Sequence, residues 1–158
     1  MINPYNRRNA VAYAHKWALG ANPDFYHFGG IGGDCTNFIS QCLLAGGGEM
    51  IDSQDGWFYF SKDYRSPSWT SVEALQKFLL DKSAGLFASI SEIASLEEGD
   101  IIQLRQNKER FNHTLIITKK SESGIYVCAH SNDALDKNLN DYFFIERIGL
   151  HIEGVKSK

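Results

Sequence analysis

Cysteine is scarce in this chain, and its scarcity excludes a disulfide-stabilised fold. The 158 residues contain three cysteines, at positions 35, 42 and 128. An odd number this small cannot supply the disulfide framework of a small secreted domain. Each cysteine is therefore either a core residue or a reactive thiol.

Long apolar runs and an excess of basic residues are also absent. No stretch approaches the ~20 consecutive apolar residues that a membrane-spanning helix requires. The formal net charge of −3 at pH 7 gives no basic surface of the kind that binds nucleic acid. We therefore expect neither a membrane span nor a nucleic-acid partner.

A secretory signal peptide is not recognisable, because Met1 to Arg8 contain no continuous hydrophobic segment. We expect either a cytoplasmic protein or a domain cut from an exported one, and the sequence leaves both open. It contains no low-complexity tract, internal repeat or linker. Length and composition predict one domain over residues 1–158, which we expect to be monomeric.

Glycine, in contrast, is concentrated in one stretch, where residues 29–33 contain four glycines. Glycines at this density disfavour regular structure, because each loses much backbone entropy when it is fixed. Asp34, a residue type that favours the N-cap of a helix, follows at once. Apolar residues then recur at helical spacing before the glycines at 46–48, namely Phe38, Ile39, Cys42 and Leu43. The pattern predicts a glycine-rich loop and then a helix that begins next to Cys35.

Cys35 therefore lies in the first turn of a predicted helix. The helix dipole and the unpaired N–H groups at this end favour an anion, and they lower the pKa of a thiol from its usual value of about 8.5. The pattern predicts a thiolate nucleophile, although a small buried core residue is the alternative for any single cysteine. Cys42 lies on the apolar stripe of the same helix and Cys128 in a strand-like run, so both are predicted in the core.

The remaining pattern predicts helices in the first half of the chain and strands in the second. One helix is predicted from Pro4, with Asn3 as its cap, and another after the capping box Thr70–Glu73. A short helical turn is expected over residues 90–96. Strands are predicted over residues 101–104, 113–118, 125–130 and 147–152, with a loop over 133–140. This succession predicts an α+β fold with N-terminal helices packed on a C-terminal antiparallel sheet.

An aromatic segment, Met50 to Ser68, shows little periodicity and is long for a loop in a compact domain. It is either a lid packed over the core or a wall that contacts substrate. In the second interpretation Trp57, and Trp69 just beyond the segment, bind substrate.

Two histidines are predicted to meet on the hairpin that joins residues 113–118 to 125–130. If the chain turns symmetrically about Ser121 and Glu122, His113 and His130 lie directly opposite each other, with β-carbons about 5 Å apart. A slip or bulge of one residue would place them on opposite faces of the sheet. Both rings are expected to be neutral at pH 7, because two imidazolium ions would repel each other.

Together these residues predict a cysteine–histidine mechanism. A thiol nucleophile needs a base within hydrogen-bonding reach, and the base needs a third group that fixes its orientation. His113 is the predicted base for Cys35, and His130 is the predicted orienting residue, with Asn132 and Asp133 as alternatives. A cysteine at a helix start and a histidine on a packed strand are typical of papain-like folds.

Short motifs along nearly the whole chain carry a family resemblance. They are Tyr5–Arg7, Ala10–Ala14, Trp17, Asn22–Pro23, Gly33–Phe38, Ser40–Cys42, Gly46–Gly47, Ser68–Thr70, Gly99–Asp100 and His113. With them the chain resembles the putative amidase domain family, which is related to the NlpC-type and CHAP peptidases. The resemblance implies Cys35 as catalytic cysteine, with His113 as the histidine and His130 as the third polar residue. The implied activity is hydrolysis of an amide bond in the peptide part of bacterial peptidoglycan, with no cofactor or metal.

The second oxyanion donor is left open, because no glutamine shortly before Cys35 completes the oxyanion hole of a papain-like enzyme. The Cys35 amide is one expected donor, and either Tyr26 or Asn37 is the other. Asp34 lies beside them in the predicted substrate-binding region.

Two other functions remain open from the sequence. Cys35, His113 and His130 are all zinc-ligand types, and three protein ligands with one open position are typical of catalytic zinc. Against zinc, none of these residues has the short spacing that is common in zinc motifs. The third hypothesis is an inactive module that binds cell-wall material or peptides through the aromatic segment.

Overall fold

The computed structural model describes residues 1–29 and 33–157 and confirms the α+β class with a large antiparallel sheet. The helices are α1 (Arg7–Trp17), α2 (Cys35–Ala45), α3 (Pro67–Thr70) and α4 (Val72–Asp81). The strands are β1 (Ile2–Asn3), β2 (Tyr59–Ser61), β3 (Tyr64–Arg65), β4 (Gly85–Ser91), β5 (Ile101–Arg105), β6 (His113–Ser121), β7 (Gly124–Ala129), β8 (Ala134–Asn138) and β9 (Glu146–Lys156). Within the described ranges, no helix is long and apolar enough to cross a membrane.

The main sheet runs in the order β4-β9-β5-β6-β7-β8, and every neighbouring pair is antiparallel. Strand β9 is the longest at 11 residues, and its residues 149 and 150 pair with both β4 and β5. These two strands therefore flank β9 on opposite edges. Strand β1 pairs with the C-terminal end of β9, at residues 155 and 156. Strands β2 and β3 form a separate two-stranded ribbon.

The main sheet separates two hydrophobic cores. The larger core lies between the sheet and helices α1, α2 and α4, and it includes the buried residues Ala14, Phe38, Leu79, Ile116, Cys128 and Leu150. The smaller core covers the other face and includes Ile102, Leu115, Val127 and Leu139. Because side chains alternate along a strand, residues 114, 116 and 128 face the helices, whereas residues 113, 115 and 127 face the smaller core.

Helix α2 begins at Cys35, as predicted, but two other predicted helix starts are shifted. Helix α1 begins after Asn6, whose side chain accepts a hydrogen bond from the Asn9 amide at 3.0 Å. The predicted start at Pro4 is wrong, because the preceding residues pair with β9 as strand β1. Helix α4 is capped by Ser71 rather than by Thr70, which belongs to α3.

Besides the short strands β1, β2 and β3, two longer strands of the described residues lie where the sequence predicts none. Strand β4 occupies residues 85–91, and the predicted helical turn shrinks to a 3-10 turn at Ile93–Ser95. Strand β8 falls in the predicted loop over residues 133–140. It is an edge strand with a mostly polar sequence, and it pairs with β7 across a short turn at residues 130–133, so its residue types gave no strand signal.

The register of the β6–β7 hairpin differs from the symmetric turn. Ile116 pairs with Cys128 rather than with Val127, and the register shifts again nearer the turn. His113 and His130 are therefore not opposite each other, and the predicted pairing is wrong. His113 begins β6 on the face of the smaller core, whereas His130 follows β7 on the face that packs against the helices.

Candidate active site

Cys35 is the first residue of α2, and its side chain is 8% exposed. The thiol lies 3.8 Å from the Thr36 hydroxyl and also interacts with the backbone of Thr114 at the start of β6. Burial raises the pKa of the Cys35 thiol and outweighs these hydrogen bonds, which lower it. The predicted lowering of this pKa is therefore wrong for this conformation, in which the thiol is neutral at pH 7.

The glycine-rich loop before Cys35 is described only at its two ends. Gly30, Ile31 and Gly32 lie outside the described residues. Gly33 has φ +94°, a left-handed conformation that L side chains rarely adopt. A Cβ built on Gly33 would lie 3.1 Å from the Ser131 hydroxyl, so glycine permits this close approach.

The other two cysteines lie in the larger core, as predicted. The side chains of Cys42 and Cys128 are completely buried. Burial raises the pKa of each thiol.

His113 begins β6, directly before Thr114. The Thr114 hydroxyl lies 2.9 Å from the Thr36 hydroxyl and so joins the start of β6 to the first turn of α2. Burial, assisted by the charge of Lys137, lowers the pKa of His113 to about 4. His113 is therefore neutral at pH 7, as predicted, and is in the form that can accept a proton. Among the described side chains, Cys35 included, none forms a hydrogen bond with the His113 ring.

A surface cavity of about 320 Å³ lies beside His113. Ser131, Asn132, Lys137 and Tyr142 are among the residues that line it. The Ser131 hydroxyl accepts a hydrogen bond from the Asp34 amide at 2.7 Å. The wall of the cavity therefore contacts the residue that precedes Cys35.

His130 forms a buried ion pair with Asp34. Its Nδ1 lies 2.6 Å from Asp34 Oδ2, and its Nε2 lies 2.8 Å from the carbonyl oxygen of Trp17. Both partners can only accept hydrogen bonds, so both ring nitrogens carry protons and the ring is an imidazolium. The ring also stacks on Phe38, with centroids 4.1 Å apart.

The ion pair connects the ends of two helices. Asp34 directly precedes the N-terminus of α2, where the helix dipole favours a negative charge, and Trp17 ends α1, where it favours a positive one. Burial alone would lower the pKa of His130, but the hydrogen bonds with Asp34 and Trp17 raise it. Burial alone would raise the pKa of Asp34, but its hydrogen bonds with His130, the Phe28 amide and Asn37 lower it.

These contacts correct two expectations for His130. Both ring nitrogens are bonded to Asp34 and Trp17, so His130 forms no hydrogen bond with His113. Its ring is also charged, whereas a neutral ring was predicted. The geometry supports an indirect role, in which His130 fixes Asp34 and thereby the start of α2.

Asp34 and Asn37 belong to one buried hydrogen-bond network. Asp34 occupies the N-cap position, but its side chain forms no capping hydrogen bond. Its Oδ1 instead accepts from the Phe28 amide at 2.8 Å and from Asn37 Nδ2 at 2.7 Å. Asn37 Nδ2 also donates to the Tyr26 carbonyl, and Asn37 Oδ1 accepts from Trp69 Nε1 at 3.0 Å. The Asn37 amide is therefore fully engaged, which argues against it as the second oxyanion donor.

The predicted aromatic wall is divided between core and surface. Trp57 and Trp69 are completely buried and pack in a tilted arrangement with centroids 4.7 Å apart, so their burial gives no support to the expectation that they contact substrate. Phe60 and Tyr64 on the β2–β3 ribbon are more than half exposed. Tyr26 is half-buried and packs against Phe28. Because the Asn37 amide is already engaged, Tyr26 is the remaining candidate for the second oxyanion donor.

Three groups of potential metal ligands occur among residues 1–29 and 33–157, each with ligand atoms within 4.8 Å of one another. Cys35, His113 and His130 do not form one of them, so the geometry gives the zinc alternative no support. The group nearest to Cys35 combines His27, Asp34 and His130. Both ring nitrogens of His130 are protonated there, which leaves no lone pair for a metal.

Sequence reasoning missed three participants in this site. Ser131 was missed, although Asn132 beside it was named as an alternative orienting residue. These two residues have positive φ angles of 61° and 71°, and a Ser-Asn-Asp run after a strand is the signal that could have indicated such a turn. Lys137 was missed because it lies on β8, in the segment over residues 133–140 that was predicted to be a loop. The Trp17 carbonyl leaves no signal in the sequence, because any residue there would supply it.

Comparison with known proteins identifies relatives of unknown activity. A family model described as "Putative amidase domain" matches residues 4–152. The uncharacterized protein YhbB of Bacillus subtilis (strain 168) is 36% identical over 126 residues, which are 77% of this chain and 39% of YhbB. The uncharacterized protein YjcM of the same strain is 28% identical over 144 residues, 85% of this chain and 33% of YjcM. The chain thus spans less than half of each relative, and no solved structure matches it.

Proposed function

The chain belongs to the putative amidase domain family, and we propose that it is a cysteine-dependent hydrolase of amide bonds. In this proposal Cys35 is the nucleophile and His113 is the general base. The observation that carries it is the junction of α2 with β6, where the hydroxyl of Thr36, the residue after Cys35, lies 2.9 Å from the hydroxyl of Thr114, the residue after His113.

The two groups react from their neutral forms. Burial raises the pKa of Cys35 and lowers that of His113 to about 4, so no thiolate–imidazolium pair exists before substrate binds. His113 takes the thiol proton as sulfur attacks the amide carbonyl, and then gives this proton to the departing amine. A water molecule, deprotonated by His113, cleaves the resulting thioester and releases the acid. This mechanism requires the His113 ring to approach the thiol when substrate binds, and catalytic hydrogen bonds often form only in the complex.

The oxyanion would form at the start of α2. The Cys35 amide is in the first turn of this helix, where N–H groups are directed outward and the dipole favours negative charge. Tyr26 is the proposed second donor. The ion pair of Asp34 with His130 positions these groups because it fixes the backbone directly before Cys35.

We propose the peptide part of the bacterial cell wall as the substrate, and a papain-like fold related to the NlpC-type and CHAP peptidases. The relatives come from a bacterium, and the Gly33–Phe38 motif with a downstream histidine supports the relationship. We further propose that residues 1–158 form one domain and act as a monomer.

Digestion of purified peptidoglycan, with mass spectrometry of the products, tests this function. We expect the parent protein to release fragments with new amino and carboxyl ends, and Cys35→Ala to release none. Cys42→Ala is the matched control, because it removes a fully buried thiol from the same helix. Equal activity of Cys35→Ala and Cys42→Ala would contradict the proposal.

A binding module is the second candidate function. It is favoured by the exposed rings of Phe60 and Tyr64, which lie with centroids 5.5 Å apart on the β2–β3 ribbon. Sedimentation with cell-wall material by both the parent protein and Cys35→Ala, without turnover by either, would support this function in place of hydrolysis.

A further inference from the structure

The cavity beside His113 contains a cation on the same sheet face as His113. Lys137 lies on β8 and pairs with Val127 of β7, which pairs with Ile117 of β6. Cross-strand partners share a face of a sheet, so Lys137 lies on the face to which His113 belongs. The Lys137 ammonium is 4.4 Å from the centroid of the Tyr142 ring, and that ring is 5.9 Å from the ring of His113. One aromatic side chain therefore separates the cation from the proposed base.

The charge of Lys137 is not neutralised by the described part of the chain. Among the described residues, no carboxylate oxygen lies within 4.0 Å of the Lys137 ammonium. Asp141 lines the same cavity without forming an ion pair with Lys137. The charge of Lys137 also contributes to the lowered pKa of His113, after the effect of burial.

The charges in the cavity favour a ligand with a single negative charge. Lys137 and Asp141 carry opposite charges, so the field attracts an anion only close to the ammonium. A carboxylate carries the single charge that one ammonium can neutralise, whereas a phosphate dianion paired with Lys137 would keep a net negative charge beside Asp141. The side-chain amide of Asn132, at the same cavity, can donate a hydrogen bond to a carboxylate oxygen.

We propose that Lys137 binds a carboxylate group of the substrate near the amide bond that Cys35 attacks. The ligand class is a peptide that carries a free carboxylate a few bonds from the reacting carbonyl. Ser131 joins the cavity to the residue before Cys35, because it lines the cavity and its hydroxyl accepts a hydrogen bond from the Asp34 amide. This inference depends on the proposed function only for the choice of Cys35 as the reacting group.

Alkylation of Cys35 by matched reagents tests the proposal without any need for amide hydrolysis. The probes are N-bromoacetyl glycine, N-bromoacetyl β-alanine and N-bromoacetyl 4-aminobutyrate, each compared with its carboxamide. Second-order rates at pH 8.5 are measured by intact mass, and the site is verified by peptide mapping. We expect one chain length to show a carboxylate preference of about fivefold over its carboxamide, the size expected for one partly exposed ion pair.

Three variants distinguish a binding site from general electrostatic attraction. Lys137→Met should abolish the preference, and Asp141→Asn should increase it, because it removes the opposing charge. Lys119→Met should leave the preference unchanged, since Lys119 is an exposed lysine of the same sheet that lies over the ring of Tyr126. Equal carboxylate-to-carboxamide ratios in the parent protein and Lys137→Met would overturn the proposal.

The labelling result and the digestion result can fail separately. A preference that depends on Lys137, in a protein that does not hydrolyse peptidoglycan, supports the carboxylate site and contradicts the proposed substrate. Hydrolysis that depends on Cys35, with no preference among the probes, supports the hydrolase and overturns the carboxylate site.

Discussion

The buried ion pair of Asp34 with His130 predicts that stability declines above neutral pH. The hydrogen bonds of His130 raise its pKa, so the folded protein keeps this proton at pH values where the unfolded chain, with a pKa of about 6.5, has lost it. Folded protein then binds more protons than unfolded protein, and the free energy of unfolding falls as pH rises above ~6.5.

His113 acts in the opposite direction on the acid side. Its pKa is about 4 in the folded protein, so between pH 6.5 and 4 the unfolded chain binds the additional proton. The free energy of unfolding therefore rises with pH in this range, by about 3 kcal/mol for a shift of this size. Because the pKa of Asp34 is lowered, protonation of its carboxylate reduces the free energy of unfolding only below pH ~3.9. Stability should thus be greatest near pH 6.5.

Replacement of His130 by phenylalanine tests the decline above pH 6.5. The new ring can still stack on Phe38, but it leaves the buried carboxylate of Asp34 without its cation and the Trp17 carbonyl without a donor. We expect a loss of about 3–5 kcal/mol at pH 6.5. The double variant Asp34→Asn/His130→Phe should recover part of this loss, because no unpaired charge remains.

Urea unfolding at half-unit intervals from pH 5 to 9 measures both the rise in stability below pH 6.5 and the decline above it. In His130→Phe the decline above pH 6.5 should disappear, while the rise below pH 6.5 remains. The control is His15→Phe, which removes a partly exposed histidine that lies 2.9 Å from Asp136, and we expect a change of at most about 1 kcal/mol. An unchanged decline in His130→Phe, or a stability within about 1 kcal/mol of the parent protein, would refute the assignment of His130 as a charged partner of Asp34.

Three further predictions concern the thiols, the base and a helix cap. Iodoacetamide should alkylate Cys35 at least about tenfold faster than Cys42 or Cys128. The rate at Cys35 should still rise with pH above 8.5, because burial raises the pKa of the thiol. Equal labelling of the three cysteines would contradict this prediction. His113→Asn should lower kcat/KM by about 10²–10⁴. In the parent protein, the acid limb of the pH profile of kcat/KM should lie near pH 4. A limb near pH 6.5 would contradict the lowered pKa of His113. Asn6→Ala should cost about 1 kcal/mol in urea unfolding, because it removes the cap of α1; no change would show that the cap is not needed.

The start of α2 could be predicted because its signals are local. A glycine-rich stretch, a capping residue type and apolar residues at helical spacing are adjacent in the sequence, and the helix begins at Cys35. The core positions of Cys42 and Cys128 follow in the same way from the pattern around each residue. The strands that carry His113 and precede His130 were also evident from their β-branched and aromatic residues.

The partners of these side chains could not be predicted, because they depend on register and long-range packing. A shift in the β6–β7 pairing removes the expected contact of His113 with His130. The contact that replaces it joins Asp34 to a residue 96 positions away and uses a backbone carbonyl at the end of α1. The pKa of Cys35 had the wrong predicted sign, because burial, a tertiary property, outweighs the helix start.

A search for a thioester on Cys35 tests the proposed mechanism most directly. Peptidoglycan fragments are mixed with the protein, the reaction is quenched with acid within its first turnovers, and the protein is analysed by intact mass and peptide mapping. We expect an acyl adduct on Cys35 that hydroxylamine removes and that Cys35→Ala lacks. Hydrolysis of the same fragments by Cys35→Ala at the parental rate would contradict it.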